Sequence, residues 1–212
     1  MENYIFDFDG TLADSKQCSI LATQDAFLKM NLEKPDQKII EYYMGIPIEQ
    51  SFKEIANHEL DDKSFARLLQ VFRDSYKEFE NEYLVAFPNV SDVLKVLKNA
   101  GKRLFVVSSK KSDVLARNLE SIGIYTYFED IVGSDKVSHY KPHPEGILKL
   151  IDLYNLEKSA TVMIGDAIFD LQMAKSAGVV SCGVTWGSHK KDLLLTEEPD
   201  YVIDEIGELL HI

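Results

Sequence analysis

The sequence "YIFDFDGTLADS" runs from Tyr4 to Ser15, near the beginning of the chain. Apolar residues dominate its first half, which is typical of a strand covered on both faces. Two carboxylates, Asp7 and Asp9, then stand one residue apart and are followed directly by Gly10. Because side chains alternate along an extended strand, both aspartates point to the same face. The stretch therefore predicts a buried strand that ends in a pair of carboxylates.

Further segments of the chain repeat this pattern of an apolar strand followed by small or polar residues. Segments with helical spacing and polar or glycine ends lie between them. Alternation of strands and helices predicts an α/β fold, with a Rossmann-like parallel sheet covered by helices on both faces. The predicted strands are residues 4–8, 103–107, 160–164, 179–184 and the shorter 130–132.

The region from residue 15 to 83 departs from this alternation, because its apolar residues follow helical spacing only. Helices are expected around residues 20–30, 37–43 and 49–57, and a longer one over 65–79. We expect a small helical cap domain at 15–83, inserted after the first strand, and a core domain formed by 1–14 and 84–212. Such a cap would stand over the crevice where open α/β sheets bind ligands.

Polar residues that end parallel strands are expected to meet at one edge of the sheet. Besides Asp7 and Asp9, these are Ser108, Ser109, Lys141, Asp166 and Asp170. Carboxylates brought together repel one another unless a positive charge intervenes. Magnesium fits best, because it prefers oxygen ligands and needs few carboxylates. Calcium and zinc fit less well, since the sequence has neither an EF-hand loop nor a cluster of histidines and cysteines.

The residues expected at this edge of the sheet are suited to bind a phosphate group. Gly10 allows the backbone to turn and to bring amide groups close to an anion. A magnesium ion, a lysine and peptide amides around an aspartate would bind a phosphoryl group, and the aspartate can attack phosphorus as a nucleophile. The sequence has no GxGxxG or P-loop pattern, so a nucleotide cofactor is not indicated.

Four short motifs, each at the end of a predicted strand and in this order, carry a family resemblance. They are "DFDGTLADS" from residue 7, "FVVSSK" from 105, "KPHP" from 141 and "GDAIFD" from 165. With them the chain resembles the haloacid dehalogenase-like superfamily, and within it the phosphoglycolate-phosphatase-like branch with a helical cap. The resemblance implies a hydrolase acting on phosphate monoesters.

Two further segments extend this resemblance. "MGIPIEQSF", residues 44–52, resembles the cap segment that shapes specificity in this branch, and "GVTWG", residues 183–187, resembles a loop of its phosphoglycolate phosphatases. One departure is that Ser108 and Ser109 stand where phosphoglycolate phosphatases often have Thr-Asn. Ser108 keeps the hydroxyl group of the threonine, but the difference weakens the specific prediction that phosphoglycolate is the substrate.

The resemblance implies a catalytic role for four residues. Asp7 would be the nucleophile, and Asp9 would protonate the leaving alkoxide and then accept a proton from the attacking water. Ser108 would hydrogen-bond the transferring phosphoryl group, and Lys141 would neutralise its growing charge.

The resemblance also implies a magnesium site and a substrate site. Asp7, Asp9 through its backbone carbonyl, and Asp166 would ligate Mg²⁺, while Asp170 would do so directly or through a water molecule. The implied phosphate- and substrate-binding residues are Phe8, Gly10, Gly45, Ser108, Ser109 and Lys141.

Net charge, cysteines and hydropathy limit the partners. The charge of −12 at pH 7 disfavours nucleic acids and anionic membranes. The two cysteines, far apart in sequence, are expected to be free thiols. The chain has no run of ~18 apolar residues, so a cytoplasmic location is expected. We expect a monomer by default, with a dimer possible, and a small phosphorylated metabolite as the partner.

Some residues keep two interpretations at this stage. Lys110 lines the cleft or is solvated at a helix start, and Trp186 borders the pocket or packs beneath a loop. Asp14 is expected to cap the first helix of the cap domain, with help from Ser15. His189 is expected at the surface.

Several functions remain open. The first is a magnesium-dependent phosphatase that forms an aspartyl-phosphate intermediate, and the second is a phosphomutase of the same superfamily. A pyrophosphatase or mononucleotide phosphatase is a variant of the first. Asp9 argues against a dehalogenase, since a halide needs no proton when it leaves. A non-enzymatic phosphate sensor is disfavoured, because it needs neither a lid nor a water-activating base.

Overall fold

The computed structural model describes residues 1–44, 46–56 and 59–212. Within these ranges, six parallel strands form one sheet in the order β5-β4-β1-β6-β7-β8, and two short strands form a separate antiparallel ribbon. The strands are β1 (Asn3–Phe6), β2 (Ala13–Asp14), β3 (Val85–Ala86), β4 (Arg103–Val107), β5 (Asp130–Val132), β6 (Thr161–Gly165), β7 (Val180–Val184) and β8 (Tyr201–Ile203).

Helices connect the strands, and four of those that the structure describes lie between β2 and β3. These four are α1 (Lys16–Lys29), α2 (Gln37–Tyr42), α3 (Ile48–Ile55) and α4 (Asp62–Tyr83). The others are α5 (Val90–Asn99), α6 (Ser112–Ser121), α7 (Glu145–Tyr154), α8 (Ile168–Ala177) and α9 (Lys191–Leu195). Short 3₁₀ helices at Tyr125–Tyr127, Ser134–Lys136, Lys158–Ala160 and Ile206–His211 complete the connections.

The central strand, β1, is covered on both faces of the sheet. It pairs in parallel with β4 on one side and β6 on the other, so that Ile5 lies opposite both Phe105 and Met163. Tyr4 and Phe6 belong to the apolar cluster on one face, and Ile5 belongs to the cluster on the other. The predicted α/β fold with a parallel sheet is confirmed.

The first strand ends earlier than predicted, at Phe6 rather than at residue 8. The ladder persists through one further bond, from the Asp7 amide to the Ile164 carbonyl at 2.8 Å. The chain then turns, because the Phe8 carbonyl accepts from the amides of Leu12 and Ala13, each at 3.0 Å. Asp7 and Asp9 therefore sit at the start of a turn rather than within a strand.

Helices α1, α3 and α4 share an apolar cluster of their own. Phe27, Phe52 and Phe72 meet edge to face at its centre, with ring centroids 5.4 and 5.1 Å apart. The predicted apolar stripe of α4 faces this cluster through residues that include Leu68 and Tyr76. A separate cluster supports the proposal that 15–83 forms a cap distinct from the core of 1–14 and 84–212.

The chain leaves the core and returns to it through one ribbon. Strands β2 and β3 pair antiparallel, with Ala13 opposite Ala86 and Asp14 opposite Val85. The Phe87 amide extends this pairing by donating to the Leu12 carbonyl at 3.0 Å. The two connections to helices α1–α4 are therefore held side by side.

A membrane-crossing helix would need a long apolar run. In the part of the chain that the structure describes, no helix is both long enough and apolar enough to span a bilayer.

Candidate active site

The carboxyl ends of β1, β4 and β6 bring three of the predicted site residues together. Asp7 follows β1, Ser108 follows β4 and Asp166 follows β6, and all three are buried. The hydrogen bonds of the sheet position Ser108 at this edge, since its amide, one residue beyond the end of β4, donates to the Val132 carbonyl at 2.9 Å. Parallel strands thus place their terminal polar side chains at one edge, as the sequence predicts.

Lys141 lies between two of the aspartates. Its ammonium group is 2.6 Å from Asp7 Oδ1 and 2.7 Å from Asp170 Oδ1, and the residue is only 5% exposed. Burial disfavours the charged amine, but the carboxylates of Asp170 and Asp7 outweigh this effect and raise the pKa of Lys141. The lysine therefore stays protonated as a buried cation.

Asp7, Asp166 and Asp170 form a buried acidic cluster in which one oxygen from each lies within 4.8 Å of the others. Burial raises the pKa of Asp7 to about 7, and burial together with the charge of Asp7 raises the pKa of Asp166 to about 6. Burial also raises the pKa of Asp170. Repulsion and desolvation thus act together against the fully ionised cluster.

These residues fit a divalent cation. Three carboxylates face the single ammonium group of Lys141, so full ionisation leaves two negative charges without a partner in the cluster. Within the described part of the chain, Asp7 Oδ2 is buried and has no hydrogen-bond partner. A buried acceptor without a donor is costly, and a bound cation would satisfy it. The atoms that would coordinate the cation are all carboxylate oxygens, which suits Mg²⁺.

Backbone and hydroxyl groups from two loops hold Asp166. The Ser188 amide donates to its Oδ2 at 2.6 Å, and the Thr11 hydroxyl donates to its Oδ1 at 3.3 Å. Sequence reasoning missed both contacts. Thr11 lies inside the first motif and Ser188 directly follows "GVTWG", so their neighbourhood was the available signal.

Two glycines allow the chain to pass close to Asp166. Gly10 has a φ of +80°, and a Cβ on it would lie 2.2 Å from Asp166 Oδ2. A Cβ on Gly187 would lie 2.2 Å from the Asp166 Cβ. Any side chain at either position would displace the carboxylate.

Asp9 points away from this cluster and toward the cap. Its Oδ1 accepts a hydrogen bond from the Ser15 hydroxyl at 2.5 Å and lies 3.0 Å from the ammonium group of Lys110. Ser15 therefore orients Asp9 and makes no side-chain bond to the start of α1. Asp14 does serve the start of α1, because its Oδ1 accepts from the Lys16 amide at 3.2 Å.

Lys110 joins the core to the cap. Its ammonium group donates to the Tyr76 hydroxyl of α4 at 2.8 Å and lies 4.1 Å from the centre of that ring. Of its two sequence interpretations, lining the cleft is the one that the structure supports. A single cation thus touches both Asp9 and the cap.

A cavity of about 320 Å³ lies between the cap helices and the sheet edge. Its lining includes Asp7, Asp9, Ser108, Ser109 and Lys110 on the core side. Phe8, a predicted phosphate-binding residue, is fully buried in the core, so only its backbone could meet a ligand. Gly45, also predicted to bind substrate, lies outside the described residues.

His189 and Trp186 both belong to the loop that follows β7. The prediction of a surface His189 is wrong, because the residue is 4% exposed beneath α2. Its Nδ1 accepts from the Ile168 amide at 3.2 Å, and its Nε2 lies 3.3 Å from the Tyr42 carbonyl. Trp186 packs beside Phe87 and donates to the Thr11 carbonyl at 3.1 Å, so it packs beneath a loop.

The sequence model of a known protein family matches most of the chain. The model described as "Haloacid dehalogenase-like hydrolase" matches residues 4–184, which includes all four motifs. The chain belongs to the haloacid dehalogenase-like hydrolase family.

Individual relatives agree with this assignment. "Probable phosphatase IndB" of Dickeya dadantii is 33% identical over 97% of this chain and 90% of its own length. "Pyrophosphatase PpaX" of Oceanobacillus iheyensis is 29% identical over 98% of this chain and 94% of its own. The crystal structure of a predicted phosphoglycolate phosphatase from Haemophilus somnus is 26% identical, covers 100% of this chain and 97% of its own, and superposes with a TM-score of 0.92. The predicted family, fold and enzyme class, a phosphatase, are confirmed.

Proposed function

We propose that this phosphatase hydrolyses a small phosphomonoester with Mg²⁺ and an aspartyl-phosphate intermediate on Asp7. One observation carries the proposal. Asp7 has Oδ1 fixed by Lys141 at 2.6 Å, while Oδ2 is buried without a hydrogen-bond partner among the described residues and Asp7 lines the cavity. A carboxylate that is oriented by one oxygen and unsatisfied at the other is suited to bind a cation and attack phosphorus.

In the first step, a carboxylate oxygen of Asp7 attacks phosphorus in line with the ester oxygen. The ester bond breaks, and its electron pair leaves on the alkoxide oxygen. Asp9, in its protonated form, donates a proton to that oxygen, so a neutral alcohol departs. The position of Asp9 supports this role, because Ser15 and Lys110 hold its carboxylate at the cavity wall.

In the second step, Asp9 accepts a proton from a water molecule that attacks phosphorus of the acyl phosphate. The bond between phosphorus and the Asp7 oxygen breaks, inorganic phosphate is released and Asp7 is regenerated. Ser108 and Lys141 would contact the phosphoryl oxygens in both steps, since phosphoryl transfer depends chiefly on positioning and charge stabilisation.

The cation would be held by Asp166 and Asp7, with Asp170 beside them. When bound, it would supply positive charge to the phosphoryl oxygens and lower the repulsion within the acidic cluster. The hydroxyl of Thr11 and the amide of Ser188 support this assignment, because they fix the Asp166 carboxylate in advance.

The test is the variant Asp7→Asn, whose amide cannot attack phosphorus at a useful rate. We expect turnover of acetyl phosphate to fall below about 1% of the wild-type rate, a loss at least as large as the lower end of the ~10²–10⁴-fold range for a general acid or base. Rapid acid quench with ³²P-labelled substrate should label the wild-type protein and not the variant. Chelation of Mg²⁺ should abolish both turnover and labelling.

The matched control is Asp92→Asn, since Asp92 is an exposed aspartate in α5. It should keep the wild-type rate. Activity of Asp7→Asn near that of the control, or full activity in excess chelator, would refute the proposal. Transfer of the label to an added sugar phosphate rather than to water would identify a phosphomutase instead.

A further inference from the structure

We infer that the preferred substrate carries a neutral, ring-sized apolar group on its ester oxygen, rather than a second anionic group. The inference rests on the proposed function and narrows it to one class of leaving group. It follows from the chemistry of the cap side of the cavity, which differs from that of the core side.

The wall that the cap contributes is mainly apolar. Among the described residues, α2 and the segment after it contribute Ile40, Tyr43 and Met44, and α3 and α4 contribute further apolar side chains. Ile46 also lies in the segment after α2, and the members from α3 and α4 are Ile48, Phe52, Ile55 and Phe72. A phosphoryl group held at Asp7 would place its ester substituent against this wall.

The charged residues in the cap wall are already neutralised or exposed. Arg73 is paired with Glu49 at 2.7 Å, and Asp74 accepts from the Gln70 amide group at 2.9 Å. Lys77 is exposed to solvent. Among the residues that the structure describes, two acidic and two basic side chains line this wall, and their formal charges cancel.

An anionic substituent would therefore be poorly matched. A second phosphate or a carboxylate would face apolar side chains or compete for a cation that already has a partner, because Arg73 is paired with Glu49, Lys110 with Asp9 and Arg117 with Glu80. The remaining lysine of the core side, Lys111, is exposed to solvent. Burial of an unpaired charge is costly. A ring would instead remove apolar surface from water on both sides. The cavity of about 320 Å³ is at the lower end of the range for small-molecule sites, which suits one ring.

The first experiment compares esters of primary alcohols. Benzyl phosphate, ethyl phosphate and phosphoglycolate differ in the substituent, while acetyl phosphate reports the chemistry without the apolar contact. We expect kcat/KM for benzyl phosphate to exceed that for ethyl phosphate about 10–100-fold, as burial of one ring predicts. Benzylphosphonate should inhibit acetyl phosphate hydrolysis more strongly than methylphosphonate, and this binding readout is independent of leaving-group reactivity.

Two variants link this preference to the cap wall. Ile48→Ser should reduce the ratio of benzyl to ethyl phosphate about tenfold. The matched control, Ile39→Ser, changes a 40% exposed isoleucine in α2 and should leave the ratio unchanged. Glu49→Gln should release Arg73 from its ion pair and raise activity toward phosphoglycolate relative to benzyl phosphate.

The outcomes separate this inference from the proposed function. Hydrolysis of acetyl phosphate with a preference for phosphoglycolate or pyrophosphate over benzyl phosphate would overturn the inference and leave the phosphatase mechanism in place. Equal loss of the ratio in Ile48→Ser and Ile39→Ser would also overturn it. Failure to hydrolyse any of the three esters or acetyl phosphate would remove the proposed function and the inference together.

Discussion

The position of the Asp166 carboxylate depends on the absence of a side chain at Gly10. Its carboxylate lies where a Cβ on Gly10 would be, and the Ser188 amide and Thr11 hydroxyl hold it there. A glycine with positive φ and a close approach thus serves the acidic cluster directly. The backbone turn that follows the first strand is therefore part of the site.

Gly10→Ala should separate backbone strain from damage to the site. The added Cβ would collide with Asp166, so we expect at least a tenfold loss of kcat and a higher Mg²⁺ requirement. Gly123→Ala is the matched control, because its φ is +74° and no atom lies within 4 Å of its Cβ. The positive φ alone should cost each variant ~1–2 kcal/mol of stability in thermal unfolding, and Gly10→Ala should lose more because of the collision.

Only the first variant should lose activity, measured as phosphate release against Mg²⁺ concentration. Equal activity in the two variants would show that the cluster tolerates a shifted Asp166.

Lys110 is the residue through which Asp9 contacts the cap. Lys110→Met keeps an aliphatic side chain against the Tyr76 ring but removes the charge beside Asp9. We expect kcat to fall about 10–100-fold, at or below the lower end of the loss expected for a general acid–base group itself. Steady-state kinetics with ethyl phosphate, whose leaving alkoxide needs a proton from Asp9, would measure this.

Lys95→Met, an exposed lysine of α5, is the control and should behave as the wild type. An unchanged kcat in Lys110→Met would remove Lys110 from the positioning of Asp9.

At the scale of elements, apolar runs of four or five residues were sufficient to predict the central strands. Strand β8 was not predicted, although β5 is equally short and was. Its three residues, Tyr201–Ile203, follow Pro199, and Tyr201 is exposed. Strands β2 and β3 were missed because two residues show no periodicity. Such elements are specified by neighbours that are distant in sequence.

The candidate site also contains some features that the sequence predicts and others that it does not. Residues that end apolar strands, such as Asp7 and Asp166, could be predicted from the sequence because parallel strands share an edge. Lys110 and His189 could not be placed, since their partners depend on how the cap packs on the core. Ser15 could not be placed because its bond to Asp9 depends on the turn that follows the first strand. Only the packed structure brings these partners together.

Helices α4 and α6 are joined by a second contact between cap and core. Glu80 is bound by Arg117 at 2.8 Å and by the Asn118 amide group at 2.9 Å, and its side chain is 8% exposed. Burial alone would raise the pKa of Glu80, but these hydrogen bonds and the charge of Arg117 lower it below 4.5 overall.

The pH dependence of stability follows from this shift. The folded state binds fewer protons than the unfolded state, so the contribution of Glu80 is present above pH 4.5 and is lost as pH falls through the lowered pKa. We expect Glu80→Gln to be less stable than the wild type at pH 7 and to lose less stability between pH 5 and about pH 3.

Urea unfolding across this range would measure the effect. Glu78→Gln, at a 66% exposed position of the same helix, should follow the wild type. Parallel curves for Glu80→Gln and the wild type would refute the prediction.

For the whole molecule, the cavity limits the size of the substrate. A phosphopeptide would need α4 to move away from α6 and Lys110 to leave Tyr76, since about 320 Å³ cannot hold flanking residues. We expect kcat/KM for free O-phosphotyrosine to exceed that for the same residue within a ten-residue peptide at least about tenfold. Phosphate release from both at equal concentration tests this, and equal rates would contradict it.

The ribbon of β2 and β3 has a consequence for the evolution and engineering of the chain. Paired residues in an antiparallel ladder lie about 4.5–5.5 Å apart, so the segment after Asp14 and the segment before Val85 start and end at nearly one point. A module with adjacent ends can be exchanged, enlarged or replaced by a tight turn without altering the order of the sheet strands. The position between Asp14 and Val85 is thus a natural grafting point, where new helices can change the choice of substrate while the carboxylates at the sheet edge are inherited unaltered.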